Sequence, residues 1–154
     1  MSRRALVVGL GKSGRAVALL LARRGWDVVA VDGAPVEAPE LAAAGVEVRS
    51  PWSEPVGGLD LVVKSPGVPG EVAPVAAARA AGVPVWSEIE LAARELPNPL
   101  LAVTGTNGKT TTTELTAHLL RAAGLEAQAC GNQGTPLAGL VDAADPAAWL
   151  VVEC

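Results

Sequence analysis

Twice along the chain a short β-rich run leads into a glycine turn and then into a helical run, first at Ala5–Ser13 and again at Leu100–Lys109. Strands that alternate with helical segments in this way build parallel sheets, because a parallel pair needs a long crossover and the helix supplies it. The expected fold class is therefore α/β with parallel sheets.

In the front part the pattern predicts strands at Ala5–Gly9, Asp27–Asp32, Val46–Ser50, Leu59–Lys64 and Val83–Trp86. Helices are expected over Ser13–Arg24, Pro39–Ala44 and Glu71–Ala81, and from Ser87 to about Glu95. In the last, Ser87 and Glu90 have capping-box spacing. Leu96-Pro97-Asn98-Pro99 then breaks the rhythm, since two prolines around one Asn can neither continue a helix nor sit in a central strand. This divides the chain into a domain over 1–95, a linker over 96–99 and a second domain over 100–154. The second domain is expected to run strand Leu100–Thr104, helix Lys109–Ala123, strand Glu126–Cys130, a helix from Pro136 capped by Thr135, and strand Trp149–Glu153. So few elements cannot cover a doubly wound sheet, so this part reads as the N-terminal portion of a larger domain.

Composition narrows the function classes. Half of the 154 residues are hydrophobic, mostly Ala, Val and Leu with no Phe or Tyr, which supports a packed core and excludes disorder. A net charge of −4 weighs against a nucleic-acid binder, which needs a basic surface. The best apolar run, Val17–Ala22, is stopped by Arg23 and Arg24, far short of the roughly 18 residues of a membrane span. The basic start has no small-residue cleavage pattern behind it. Cys130 and Cys154 lie far apart and form no CxxC pair. A cytoplasmic monomer without membrane or nucleic-acid partners is the expectation.

Gly9-Leu10-Gly11-Lys12-Ser13-Gly14 is a GxGxxG between strand and helix, and Asp32 ends the next strand 18 residues after Gly14. Such glycines allow a tight turn and let backbone N–H groups approach a diphosphate at the helix start, while the acid is placed to accept from a ribose hydroxyl. A glycine-rich turn without ligand is the plain alternative; strand, helix and acid together favour a nucleotide. Ser65-Pro66-Gly67, at the end of another strand, is open between binding and an ordinary turn.

Gly105-Thr106-Asn107-Gly108-Lys109-Thr110 is more specific, a phosphate loop shorter than GxxxxGK[ST] because its leading glycine is Gly105. Its backbone N–H groups can cradle ATP phosphates, Lys109 can reach the β/γ oxygens, and the Thr110 hydroxyl can ligate Mg²⁺. Thr110 to Thr113 are poor helix formers at a helix start, a choice that hydroxyls facing phosphate and metal explain. Glu153 ends the apolar strand Trp149–Val152, the place of a Walker-B carboxylate; the alternative is a solvated strand end. Asn132 follows another strand end and either meets substrate or takes a left-handed turn.

A GxGxxG domain of about 95 residues, then Val-Thr-Gly-Thr-Asn-Gly-Lys-Thr-Thr, then Gly-Asn-Gln-Gly-Thr-Pro, resembles the Mur ligases along the whole chain, and within them the D-glutamate-adding branch. Ser65-Pro66-Gly67 and the Ser87–Leu91 stretch match that branch. The resemblance implies a Rossmann-like domain followed by the start of the P-loop central domain. It implies an ATP-dependent ligase of peptidoglycan precursor synthesis, joining D-glutamate to UDP-N-acetylmuramoyl-L-alanine through an acyl phosphate, with ATP and Mg²⁺. By position, Gly105 to Thr112 (Thr111 included) hold ATP, Lys109 is catalytic, and Thr110 and Glu153 hold Mg²⁺. Gly11, Lys12, Ser13, Asp32, Ser65, Pro66, Gly67 and Asn132 bind the UDP-substrate. Lys12 stands where an apolar residue is often found, and Gly33-Ala34 replaces a polar pair. On this reading the chain alone lacks turnover, its D-glutamate site and second metal site lying elsewhere. A non-catalytic nucleotide-binding module, or a Mur ligase adding alanine, diaminopimelate or lysine, is the alternative; an NAD dehydrogenase leaves the phosphate loop unexplained.

Overall fold

The computed structural model describes residues 2–52 and 57–154, and the chain divides into two compact units, 1–91 and 92–154. In the first, β1 (Arg4–Val8), β2 (Asp27–Val31), β3 (Glu47–Arg49), β4 (Leu61–Lys64) and β5 (Val85–Ser87) form one parallel sheet in the order β3-β2-β1-β4-β5. The helices are α1 (Lys12–Arg23), α2 (Pro39–Ala43) and α3 (Ala73–Ala80), and α4 (Glu88–Glu95) carries the unit boundary. Strand alternation explains the layering. Leu6, Val8, Val29, Val31 and Val62 form one cluster with Val75 and Ala78 of α3, while α1 packs on β1, β2 and β4. With no Phe or Tyr to fill the layers, Ala, Val and Leu supply nearly all of this core.

The second unit holds a parallel sheet in the order β6-β8-β7, from β6 (Leu100–Val103), β7 (Ala127–Gly131) and β8 (Trp149–Glu153), with α5 (Lys109–Ala122) packed on it. Leu150, Val151 and Val152 of the central strand are buried. Segment 96–99 belongs to this unit by compactness. Asn98 is only 7 % exposed and its Nδ2 donates to Asp145 O at 2.7 Å and Ala148 O at 2.9 Å, while Leu150 N donates to Pro99 O.

Two expectations need correction. The helix from Pro136 capped by Thr135 is a single 3₁₀ turn, Leu137–Gly139, with Pro136 at its cap and no side-chain cap bond. Gly139 weakens the first turn, and Pro146 can neither donate to a helix ladder nor fit inside one. Asn132 does not take a left-handed turn. No described residue other than glycine has positive φ, and Gly131 (φ 111°) and Gly134 (φ 72°) supply the reversal there. Ser87 caps as expected, its Oγ accepting from Glu90 N at 3.1 Å.

Candidate functional site

The strand order of the first unit reverses between β1 and β4, and in doubly wound sheets ligands sit beyond the carboxyl ends of the strands at that point. Val8 pairs with both Val31 and Lys64, so the loops after β1, β2 and β4 leave the sheet at one level. This brings Gly9–Gly14, Asp32 and Ser65–Gly67 together. Two of their glycines, Gly9 and Gly14, are dictated by space. Gly9 has φ 92°, and a Cβ on Gly14 would lie 1.8 Å from Gly9 O and 2.7 Å from Ser65 Oγ. α1 therefore starts in direct contact with the turn that feeds it.

Side chains from both flanking strand ends hold that turn. Ser65, buried, donates its Oγ hydrogen to Gly9 O at 2.9 Å. The Asp32 carboxylate accepts from Leu10 N at 2.7 Å and from Ala34 N at 3.0 Å. Both of its oxygens thus bind backbone of this unit, a use the sequence reading did not anticipate. Ser65 to Val68 closes as a turn, with Val68 N donating to Ser65 O at 3.1 Å and Lys64 Nζ to Val68 O at 2.6 Å. Pro66 and Gly67 are exposed at its tip, as are Gly11 and Lys12 on the glycine turn.

α1 begins after Gly11 with no side-chain cap and no acid in its first turn. The first N–H groups of a helix lack intrahelical acceptors and carry partial positive charge, so this start suits an anion. Sequence reasoning missed Arg15. Its Nε donates to Leu10 O at 3.0 Å, its Nη2 to Glu37 O at 2.8 Å, and its Nη1 pairs with the Glu40 carboxylate. A hydrogen bond from Glu40's own backbone N–H, followed by one from the Arg15 guanidinium, holds the Glu40 carboxyl below its usual range. The signal was available only as an Arg one residue past the glycines, a position that a helix surface fills with any charge.

In the second unit Val103, Glu153 and Gly131 stand side by side in register. The phosphate-loop candidate, Glu153 and Asn132 therefore leave one sheet edge. Gly105 (φ 151°) and Gly108 (φ 75°) give the loop its shape, and Gly108 is the N-cap of the 14-residue α5. Thr106 and Asn107 are exposed between them, as are Thr110, Thr111 and Thr112 on the first turn of α5. Lys109 Nζ donates to Gly105 O at 3.0 Å, folding the side chain back across the loop. Glu153 is 6 % exposed, so it is no solvated strand end. Asn132 donates its backbone N–H to Glu153 O at 2.9 Å and leaves its side chain exposed. Among the described residues no group of three or more His, Cys, Asp or Glu gathers. A hydroxyl and one carboxylate are nonetheless what a phosphate-bound Mg²⁺ takes from protein, the remaining ligands being water and phosphate oxygens. Thr110 and Glu153 are of that kind.

Residues 3–87 match the family described as Mur ligase MurD-like, N-terminal domain, and residues 103–143 match the Mur ligase middle domain. Among curated relatives, a UDP-N-acetylmuramoylalanine–D-glutamate ligase of Solibacter usitatus is 45 % identical, over 97 % of this chain and 34 % of its own length. One of the same name from Anaeromyxobacter dehalogenans is 49 % identical over the same shares. The chain thus spans about a third of the length of the curated relatives it matches. Among solved structures, a murein peptide ligase from Psychrobacter arcticus shares the fold with a TM-score of 0.56 at 22 % identity, over 99 % of this chain and 37 % of that one.

Proposed function

The chain belongs to the Mur ligase family, and from that premise we propose that it forms the UDP-substrate-binding and ATP-phosphate-binding parts of a D-glutamate-adding ligase. The ligase joins D-glutamate to UDP-N-acetylmuramoyl-L-alanine in the cytoplasm at the expense of ATP, and the chain acts as a monomer without nucleic-acid or membrane partners. The observation that carries this reading is the glycine-capped loop between β6 and α5, with Lys109 across it and buried Glu153 on the adjacent strand end, behind a Rossmann-type unit in the same chain. A dehydrogenase has no use for that loop.

The geometry supports a division of labour. In the first unit the start of α1, with Gly11, Lys12 and Ser13, receives the diphosphate, and Ser65–Gly67 and Asp32 border it. In the second unit the backbone of Gly105–Gly108 and the first turn of α5 receive the ATP phosphates. Lys109 leaves Gly105 O for a phosphate oxygen, where its charge offsets the negative charge that grows in the transition state. Thr110 and Glu153 hold Mg²⁺, which supplies further positive charge to the phosphates when bound. Asn132 meets the muramoyl substrate.

The reaction begins when an oxygen of the substrate carboxylate attacks the γ-phosphorus. The bond to the ADP oxygen breaks and an acyl phosphate forms. The D-glutamate amine then attacks the acyl carbon, loses a proton and expels phosphate through a tetrahedral intermediate. Every group brought together in the first step is an anion, so the loop's N–H groups and the Lys109 charge are its chief requirement. Titration calorimetry of the chain tests the binding half of this reading. UDP-N-acetylmuramoyl-L-alanine is expected to bind more tightly than NADH, and the opposite order sinks the proposal.

A further inference from the structure

Leu10 is the second residue of the glycine turn, and side chains hold both polar groups of its backbone. Asp32 accepts its N–H at 2.7 Å, and Arg15 donates to its C=O at 3.0 Å. The Leu10 side chain is itself buried, 3 % exposed, so the residue is fixed on every side. Each holder is also tied onward to the stretch that follows β2. Asp32 accepts from Ala34 N, and Arg15 reaches Glu37 O and the Glu40 carboxylate on the first turn of α2. The turn that starts α1 and the segment 32–40 are thereby fastened at two points, all through charge-assisted bonds.

We propose that Arg15 is a positioning residue for a nucleoside diphosphate, acting through the Leu10 peptide rather than by touching the ligand; this rests on the reading that the first unit binds the UDP part of the substrate. Three different nitrogens of one planar guanidinium serve three acceptors on three parts of the chain. A lysine ammonium on a flexible stem cannot span that arrangement. Fixing Leu10 fixes the peptide that precedes Gly11, the N-cap of α1, and so aims the free N–H groups of the first helical turn. The 32–40 stretch follows the second strand of the sheet, the place where doubly wound folds meet the nucleoside, while the glycine turn meets the phosphates. Arg15 makes the two halves of the site one rigid piece before ligand arrives, and preorganisation of this kind appears as affinity.

The alternative is that Arg15 matters only as a nearby positive charge, and two variants separate the two roles. Arg15→Lys keeps the charge and loses the three-way bridge. Glu40→Gln keeps Arg15, weakens an anchor of its guanidinium from a charged to a neutral acceptor, and removes a negative charge that repels an anion. The probe is UDP, titrated calorimetrically into the 154-residue chain and its variants. Amide exchange at Leu10–Ser13 is measured alongside, with residues 92–154 as internal reference. Expected are a loss of affinity on the order of tenfold in Arg15→Ala and in Arg15→Lys, a smaller loss in Glu40→Gln, and faster exchange confined to the turn. Wild-type affinity in Arg15→Lys, or tighter binding in Glu40→Gln, overturns the proposal. If Arg15→Ala fails to fold, the other two variants decide. Absence of UDP binding by the unaltered chain instead overturns the functional reading and this inference with it.

Discussion

Gly14→Ala is the sharpest test of how the first unit builds its turn. An added Cβ would sit 1.8 Å from the Gly9 carbonyl oxygen and 2.9 Å from its carbon, both backbone atoms that cannot rotate away. Turn and helix must separate by more than an ångström to reach any tolerable contact. Overpacking of this sort costs about 1–3 kcal/mol. Separation also breaks the Ser65 Oγ to Gly9 O bond, worth about 1 kcal/mol. Against this, Ala in place of Gly within a helix gains about 1 kcal/mol. The net is a loss of about 2 kcal/mol, which speeds exchange through local or global opening roughly thirtyfold. Hydrogen exchange by mass spectrometry reads this directly in peptides covering β1 and α1, with peptides of residues 92–154 unchanged. Gly11→Ala is the companion, since nothing lies within 4 Å of its added Cβ and φ there is −68°. Its loss is expected to stay under about 1 kcal/mol, the scale of an altered N-cap. If β1 and α1 exchange in Gly14→Ala within threefold of the parent chain, the close approach has been misjudged and the steric account of the turn falls.

Lys109→Ala is expected to leave the fold intact, because the hydrogen bond of its side chain runs to Gly105 O on an exposed loop. Ligation by a complete enzyme carrying the change should fall on the order of 10²–10³-fold, and unchanged turnover removes the loop from the mechanism. Asn98→Ala strips two donors from the carbonyls of Asp145 and Ala148 and should cost the second unit about 1–3 kcal/mol, read by urea unfolding followed at Trp149. Glu40 has a folded pKa lowered from 4.5, first by backbone hydrogen bonding and then by Arg15, so its contribution is present above the unfolded value and lost as pH falls through the folded one. Melting temperatures of the parent and Glu40→Gln chains should therefore differ by a constant amount above about pH 5 and converge on acidification; a gap that widens with acid contradicts the ion pair.

Much of the fold was legible because the physics of a parallel sheet is written locally. The central strands β1, β2, β4 and β8 are apolar runs with nearly every residue buried, and α1, α3 and α5 are followed by Gly25, Gly82 and Gly124, which reverse the chain with positive φ. Element ends shifted by a residue or two, because strand limits depend on the partner's reach; β3 spans Glu47–Arg49, set by its pairing with β2. The stretch after Pro136 was misjudged for a different reason. Its Ala and Leu content reads as helical, yet Gly139 and Pro146 fall within one helix length and the backbone resolves into turns. Asn98 was equally hidden, since polar side chains between prolines look like linker until the carbonyls they satisfy come into view.

The two glycine loops show which part of a candidate site a sequence can disclose. Their glycines, Lys109, Thr110 and Glu153 stand close in sequence to a strand end, and the register of the sheet alone brings Val103, Glu153 and Gly131 level. Such residues are readable because spacing along the chain is nearly spacing in the fold. Asp32 and Arg15 belong to another kind. Asp32 was singled out as a ligand from its place after the second strand, but what fixes both its oxygens is the backbone of Leu10 and Ala34. Arg15 gave no pattern at all, since its partners at positions 10, 37 and 40 meet only once α2 has folded back beside the turn. A glycine turn at a helix start displays its glycines in the sequence, whereas the side chains that hold those glycines still are chosen by tertiary geometry and must be found there.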